Sequence, residues 1–400
     1  MTQRWLEAHR DELVGLVRAL VAIPSENRPP RGNERACQEY VAEYLQALGL
    51  ETDMFTPDEV EGATDHPAWW PGRDYEGRPN VAARLAGRGG GRSLVFSGHV
   101  DVVPALGEGE HAFWDGDVAD GLLYGRGSLD MKGGIACYLH ALRCLRECEV
   151  ELAGDVIVET VVDEEFGGAN GTLACRLRGY DADGAVLPEP TGLAVCHATR
   201  GGIQYRLHAR GSRVGMAFDG EIPPSPLVAV AEAAAGLAGA ERARPVPIYQ
   251  YLLESGEELP WGTGEGIPAE GTLEFWAEIV PGTTRDDLER ELRNAVGTAP
   301  AGIDVEWEQR TRFLPATSID PQTPIVEAVR SALGVTTANT APFACDAFMF
   351  NEFSSTPVVV CGPGGGNAHA PDEYVLVDDL HTLASGYVQL VLDWCGKEKR

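Results

Sequence analysis

His99 and Asp101 sit near the end of "FSGHVDVVP", an otherwise small and apolar stretch that reads as a buried strand. Two residues apart, they point to the same face of that strand. The pattern recurs along the chain. Asp130 lies in "SLDMKGG", Glu164 and Glu165 in "VDEEFGG", Glu189 in "LPEP" and His369 in "GNAHAPDEY". In an open α/β sheet, ligands bind beyond the carboxyl ends of the strands, so groups far apart in sequence can converge on one crevice. Gathering that many carboxylates is repulsive without a compensating cation. Two imidazoles, several carboxylates and no thiolate make a donor set suited to Zn²⁺, Mn²⁺ or Co²⁺. Each element alone is weak. A histidine at a strand end is commonly a hydrogen-bonded structural residue, "DEE" is commonly a solvated turn, and "GRGSLDMKGG" is compatible with a tight strand-to-helix loop. The G-x-x-x-x-G-K-[ST] phosphate loop is absent, and Lys132 does not supply its spacing.

The elements that must position these groups follow from periodicity. Residues 3–21 and 33–48 read as amphipathic helices. "NVAARLAG" and "SLVFSGHVDVV" read as strands flanking a glycine turn, and "IACYLHALRCLREC" as a helix. "GDVIVETVVDEEFGG", "GAVLPEP" and "TPVVVCGPGGG" read as strands ending in polar loops, and "VDDLHTLASGYVQLVLDWC" as a closing helix. Strands alternating with helices predict a mostly parallel sheet with helices on both faces. Residues 198–315 break the alternation: "GGIQYRLHARGS", "PLVAVAEAAAGLAG", "TLEFWAEIVPG", "TRDDLERELRNAV" and "IDVEWEQR" suggest an inserted α+β domain between catalytic segments 1–197 and 316–400. The loop "DHPAWWPGRDYEGRP" offers Trp69 and Trp70 either to a pocket or to the surface.

Composition removes whole classes of function. A net charge of −29 over 400 residues repels nucleic acid and anionic membranes. No charge-free apolar run reaches the roughly 18–20 residues of a membrane span, and the amphipathic N-terminus lacks a signal-peptide core. Nine cysteines without a C-x-x-C pair point to reduced thiols and a cytoplasmic setting.

Taken together and in order, "SGHVDVVP", "LYGRGSLDMKGG", "VDEEFGG", "LPEPT" and "GPGGGNAHAPDEYV" resemble the signatures of the dinuclear-metal aminoacylase and carboxypeptidase family that includes acetylornithine deacetylase and succinyl-diaminopimelate desuccinylase. The resemblance spans nearly the whole chain. It implies a zinc-exopeptidase-like fold and two divalent ions, zinc first and cobalt or manganese next, bridged by Asp130. One ion would also be held by His99 and Glu189, the other by Glu165 and His369. Glu164 would be the general base, and Asp101 would orient His99 through its second ring nitrogen. The implied activity is hydrolysis of the amide C–N bond of a small N-acyl amine or amino acid. The alternatives are a dipeptidase or carboxypeptidase, and a non-catalytic metal-binding homologue.

The insert departs from that pattern. Gly215 stands where the family commonly has a lid histidine, Glu265 near an asparagine position and Glu278 at an arginine position. Substitutes stand nearby in His197, His208, Arg200, Arg206, Arg210 and Arg213. Either the insert is purely structural, or the substrate lacks the usual carboxylate and meets Glu265, Glu278 or Arg213, with a cation facing one of the acids. The alternating "GGIQYRLHARG" and the alanine-rich "PLVAVAEAAAGLAGA" suggest a homodimer formed through this insert.

Overall fold

Leu94, Val95 and Phe96 are all fully buried, yet alternate residues enter different layers. Leu94 and Phe96 pack into one apolar cluster and Val95 into another. Ile157 likewise separates from Val156 and Val158, and Val359 from Val358 and Val360. A period-2 strand does this only when both faces of its sheet are covered. The computed structural model, which describes residues 1–167, 169–212, 224–254 and 269–396, shows that covering.

Across the central sheet run Val195–Thr199, Val358–Val360, Ala185–Leu187, Leu94–His99, Val156–Val161, Asn80–Leu85 and Thr52–Phe55. The middle of the sheet is parallel, from Val358–Val360 to Val156–Val161; the pairings of Val195–Thr199, Asn80–Leu85 and Thr52–Phe55 with their inner neighbours are antiparallel, and Ala338–Ala341 joins Val195–Thr199 in parallel. Helices Arg10–Val21, Arg35–Ala47, Gly133–Glu147, Pro324–Leu333 and Val377–Trp394 bury their apolar faces against one side. Ala347–Phe353 and Asn170–Leu177 cover the other. Each buried Leu, Ile or Phe stabilises by roughly 1.5–3 kcal/mol relative to exposure. An unpaired charge in those layers would cost several kcal/mol. Titratable groups therefore collect where the parallel strands end. Close approach sets the register there: a side chain at Gly134 would fall 2.4 Å from the Pro188 carbonyl oxygen, so the helix can begin directly against the strand end that carries Glu189.

By contacts the chain divides into Met1–Thr199 with Ser318–Arg400, and Arg200–Thr317. The second unit is an antiparallel sheet ordered Ile248–Glu254, Glu270–Ile279, Gly201–Arg210, Asp304–Gln309, with helices Pro226–Glu241 and Arg285–Val296. Ile203, Tyr205, Leu207 and Ala209 point into its core, with Val230, Ala233, Leu237, Leu288 and Leu292.

Three details differ from the periodicity reading. The first helix is broken into Thr2–Ala8 and Arg10–Val21 at His9 (φ −115°, ψ 23°), whose ring nitrogen lies 2.7 Å from the Trp5 carbonyl. The strand Val156–Val161 lies between Asn80–Leu85 and Leu94–His99, which do not pair with each other. Ile248–Glu254 is a strand that alternation does not reveal, because Leu252 and Leu253 are both exposed.

Candidate metal centre

His99 ends its strand only 2% exposed. Its Nδ1 lies 2.8 Å from the Asp101 carbonyl oxygen. A carbonyl can only accept, so Nδ1 carries the proton and Nε2 keeps its lone pair. That Nε2 is 3.2 Å from Asp130 Oδ1, 3.7 Å from Glu189 Oε2 and 3.8 Å from Glu164 Oε2. The other oxygen of Asp130 is 3.2 Å from His369 Nε2, which is 2.9 Å from Glu165 Oε2. The result is two triads, His99–Asp130–Glu189 and Asp130–Glu165–His369, each with ligand atoms within 4.8 Å of one another. Asp130 belongs to both.

The electrostatics describe a site built around positive charge. Despite burial, Glu189, Asp130 and Glu164 push the His99 imidazole well above its ordinary range. Glu165, with Asp130, raises His369 to about 12. Burial lifts Glu189 to about 7 and lifts Glu164 well above the usual carboxylate range, and neighbouring carboxylates add to both. Asp130, though buried, is held well below its usual value by His369 and His99. Four carboxylates crowded around two imidazoles make a site that divalent ions would balance. Two imidazole nitrogens, four carboxylates and no thiolate fit such ions.

The structure brings His99, Asp130, Glu164, Glu165, Glu189 and His369 together and moves the role expected of Asp101. The Asp101 carboxylate stands 3.7 Å from His99 Nδ1, which is committed to the Asp101 carbonyl. That carboxylate instead accepts from the backbone N–H of Glu164 and Glu165, at 3.0 and 3.1 Å, and from Asn27 Nδ2 at 2.9 Å. The cause is geometric: the strand ends at His99, so the backbone after it turns its own carbonyl toward the ring.

Other positioning groups escape sequence reading. Glu373 is buried and accepts from the N–H of Leu129 and Asp130 (3.0 and 3.1 Å), while Arg126 binds its other oxygen at 2.6 Å. Its one signal is its place four residues after His369. The Asp130–Met131 peptide is cis. Lys132 is buried and donates to the carbonyls of Leu20 and Ile23, a structural use of its ammonium.

The expected substrate contacts fare differently. Arg213, Gly215 and Glu265 lie outside the described residues. Glu278 is 4% exposed, 2.7 Å from Arg200 Nη1 and 3.0 Å from the Tyr249 hydroxyl. Its carboxylate is already neutralised inside its own unit, which corrects the expectation that it meets a substrate cation. Arg206, His208 and Arg210 are likewise paired, with Glu274, Glu308 and Glu306.

Comparison with known proteins agrees with this geometry. The N-formyl-4-amino-5-aminomethyl-2-methylpyrimidine deformylase of Bacillus subtilis is 28% identical over 448 aligned positions, covering 99% of this chain and 98% of that protein. Human carnosine dipeptidase 1 shares the fold, with a TM-score of 0.76 at 17% identity over 98% of each chain. A dinuclear metal-binding peptidase of Bacillus subtilis also superposes, with a TM-score of 0.65 at 15% identity over 97% of this chain and 98% of that one. Residues 95–393, which carry all six gathered side chains, match the profile of peptidase family M20/M25/M40, and the chain belongs to that family as a hydrolase of carbon–nitrogen bonds.

Proposed function

We propose that the chain removes a short acyl group, formyl in the first instance, from the nitrogen of a small amine that carries no carboxylate beside the scissile bond. The observation that carries the hydrolytic reading is Asp130 shared between two triads with Glu164 alongside. Asp130, His99 and Glu189 would hold one divalent ion, and Asp130, Glu165 and His369 the other. Bound there, such ions polarise the amide carbonyl and lower the pKa of water. Zinc fits the donor set, with cobalt and manganese as substitutes. Glu164, outside both triads, takes the proton of the attacking water and returns it to the departing nitrogen. The Nδ1–H bond of His99 to the Asp101 carbonyl holds the ring in the tautomer that leaves Nε2 available.

Two observations support a carboxylate-free substrate. Glu278 stands in sequence where a carboxylate-binding arginine is common, and it occupies Arg200 in an ion pair. The bacterial deformylase, similar along its whole length, is named for a formylated aminopyrimidine without a carboxylate. All nine cysteines are buried and free, which fits a reducing cytoplasm, and no helix among the described residues is long and apolar enough to cross a membrane.

The test is a hydrolysis panel on metal-loaded protein: the formylated aminomethylpyrimidine, N-succinyl-diaminopimelate, N-acetyl amino acids and dipeptides, followed by amine release. The highest kcat/KM on the formylated amine is expected. Preference for a carboxylate-bearing amide or a dipeptide overturns the substrate assignment, and no turnover on any overturns the hydrolytic reading.

A further inference from the structure

The loop "DHPAWWPGRDYEGRP" offers its two tryptophans to a pocket or to the surface; Trp69 packs against the core and edge-on to Tyr75, and neither belongs to the triads. Its polar residues have another destination. Tyr75 donates its hydroxyl to Asp163 Oδ2 at 2.7 Å, and Arg73 Nε lies 3.1 Å from Asp163 Oδ1 as an ion pair. Arg73 Nη2 also donates to the Phe166 carbonyl at 3.2 Å. Trp70 and Asn170 exchange two bonds, from Trp70 N–H to Asn170 Oδ1 (2.9 Å) and from Asn170 Nδ2 to the Trp70 carbonyl (2.8 Å). The loop is thus fastened on both sides of the turn that carries Glu164 and Glu165.

Asp163 is the centre of this fastening. It is fully buried and has a left-handed backbone with φ 68°, a conformation that costs most residues energy and that aspartate and asparagine tolerate better. Asn27 Nδ2, bonded to Asp101 at 2.9 Å, also reaches Asp163 at 3.4 Å. Asp101 in turn holds the N–H groups of Glu164 and Glu165. The backbone of the two glutamates is therefore gripped by Asp101 in front of Asp163, and the loop grips Asp163 itself. Unlike Glu165, Asp163 has no place in the triads.

We infer that Asp163, clamped by Tyr75 and Arg73, is a positioning residue for the Glu164–Glu165 turn, so that this loop sets the geometry of the second metal triad and of the base. The inference rests on the two-metal reading above. Its signature is asymmetry: the triad containing Glu165 depends on the clamp, and the triad of His99 and Glu189, carried by two other strand ends, does not.

The test uses full-length chains stripped of metal and titrated with Co²⁺, following visible absorption, alongside steady-state kinetics on the preferred amide. Wild type should take up two ions. Tyr75→Phe and Asp163→Asn should bind one ion as wild type does and the other about 10- to 100-fold more weakly, the usual effect of removing a supporting hydrogen bond. At saturating metal, kcat should fall and KM should change little. Asp163→Asn retains left-handed tolerance and an acceptor for Tyr75, so it should lose less than Asp163→Ala. If Asp163→Ala does not fold, Tyr75→Phe still decides the question. Unchanged isotherms, or equal weakening of both ions, overturn the clamp. Uptake of fewer than two ions by wild type overturns instead the metal reading beneath it.

Discussion

The carbonyl oxygen of Asp101, not its carboxylate, receives the Nδ1–H of His99, at 2.8 Å against 3.7 Å. Histidine orientation is therefore independent of the Asp101 side chain, whose work is to bind two backbone N–H groups and the Asn27 amide. Asp101→Asn should leave the His99 tautomer unchanged, as read from imidazole ¹⁵N shifts. It should lower stability by about 1–3 kcal/mol, because its NH₂ group faces donors that lose their acceptor in a buried space. A switch of tautomer in this variant would restore the carboxylate as the orienting group.

Asp130 and Glu164 separate metal binding from proton transfer. Asp130 offers one oxygen to each imidazole, so Asp130→Ala should lose both ions together and all measurable turnover. Glu164→Gln should retain two ions by elemental analysis and lose about 10²- to 10⁴-fold in kcat, the contribution expected of a positioned base. Two ions retained by Asp130→Ala would refute the shared-ligand assignment.

How much of this was legible in the chain follows from what spacing encodes. Polar residues at the ends of apolar strands marked His99, Asp130, Glu164, Glu165, Glu189 and His369, because a sheet with both faces covered leaves charges nowhere else to go. Neither spacing nor resemblance distinguishes the Asp101 carbonyl, 2.8 Å from His99 Nδ1, from its carboxylate at 3.7 Å. Nor does spacing encode φ, so the left-handed Asp163 read as one more acid in a turn. Glu278 and Arg200 are 78 residues apart, and only the pairing of Gly201–Arg210 with Glu270–Ile279 brings them together. Composition left the fate of the alanine-rich helix open. Ala229, Val230, Ala233 and Leu237 are spent inside their own unit.

His140 should make the fold acid-sensitive. Burial first, and Arg143 second, push its imidazole down to about 4 from an ordinary value near 6.5. Between those values the unfolded chain takes up a proton that the folded chain refuses. Its contribution is therefore complete above about pH 6.5, falls as pH drops, and levels off below about pH 4. Replacing it by glutamine should remove about 2 kcal/mol of the stability difference between pH 7.5 and pH 5. Denaturant titrations of both proteins at the two pH values measure this, and identical pH slopes would contradict it.

The last expectation concerns association through the second unit. Among the described residues, its edge strand Ile248–Glu254 pairs only with Glu270–Ile279, and it exposes Tyr249, Leu252 and Leu253 at 37, 51 and 40%. An apolar edge strand is a template for pairing with a second copy. We therefore expect a homodimer closed through this strand, with sedimentation equilibrium at micromolar concentration returning twice the chain mass. Leu252→Lys with Leu253→Lys should give a monomer, since lysines on both exposed positions of an edge strand oppose pairing. Every residue of the two metal triads lies in the other unit, so the monomer should keep two ions and kcat within about twofold of wild type. A monomeric wild type defeats the association. A monomeric variant that retains its metals but loses turnover shows that the neighbouring copy takes part in the reaction.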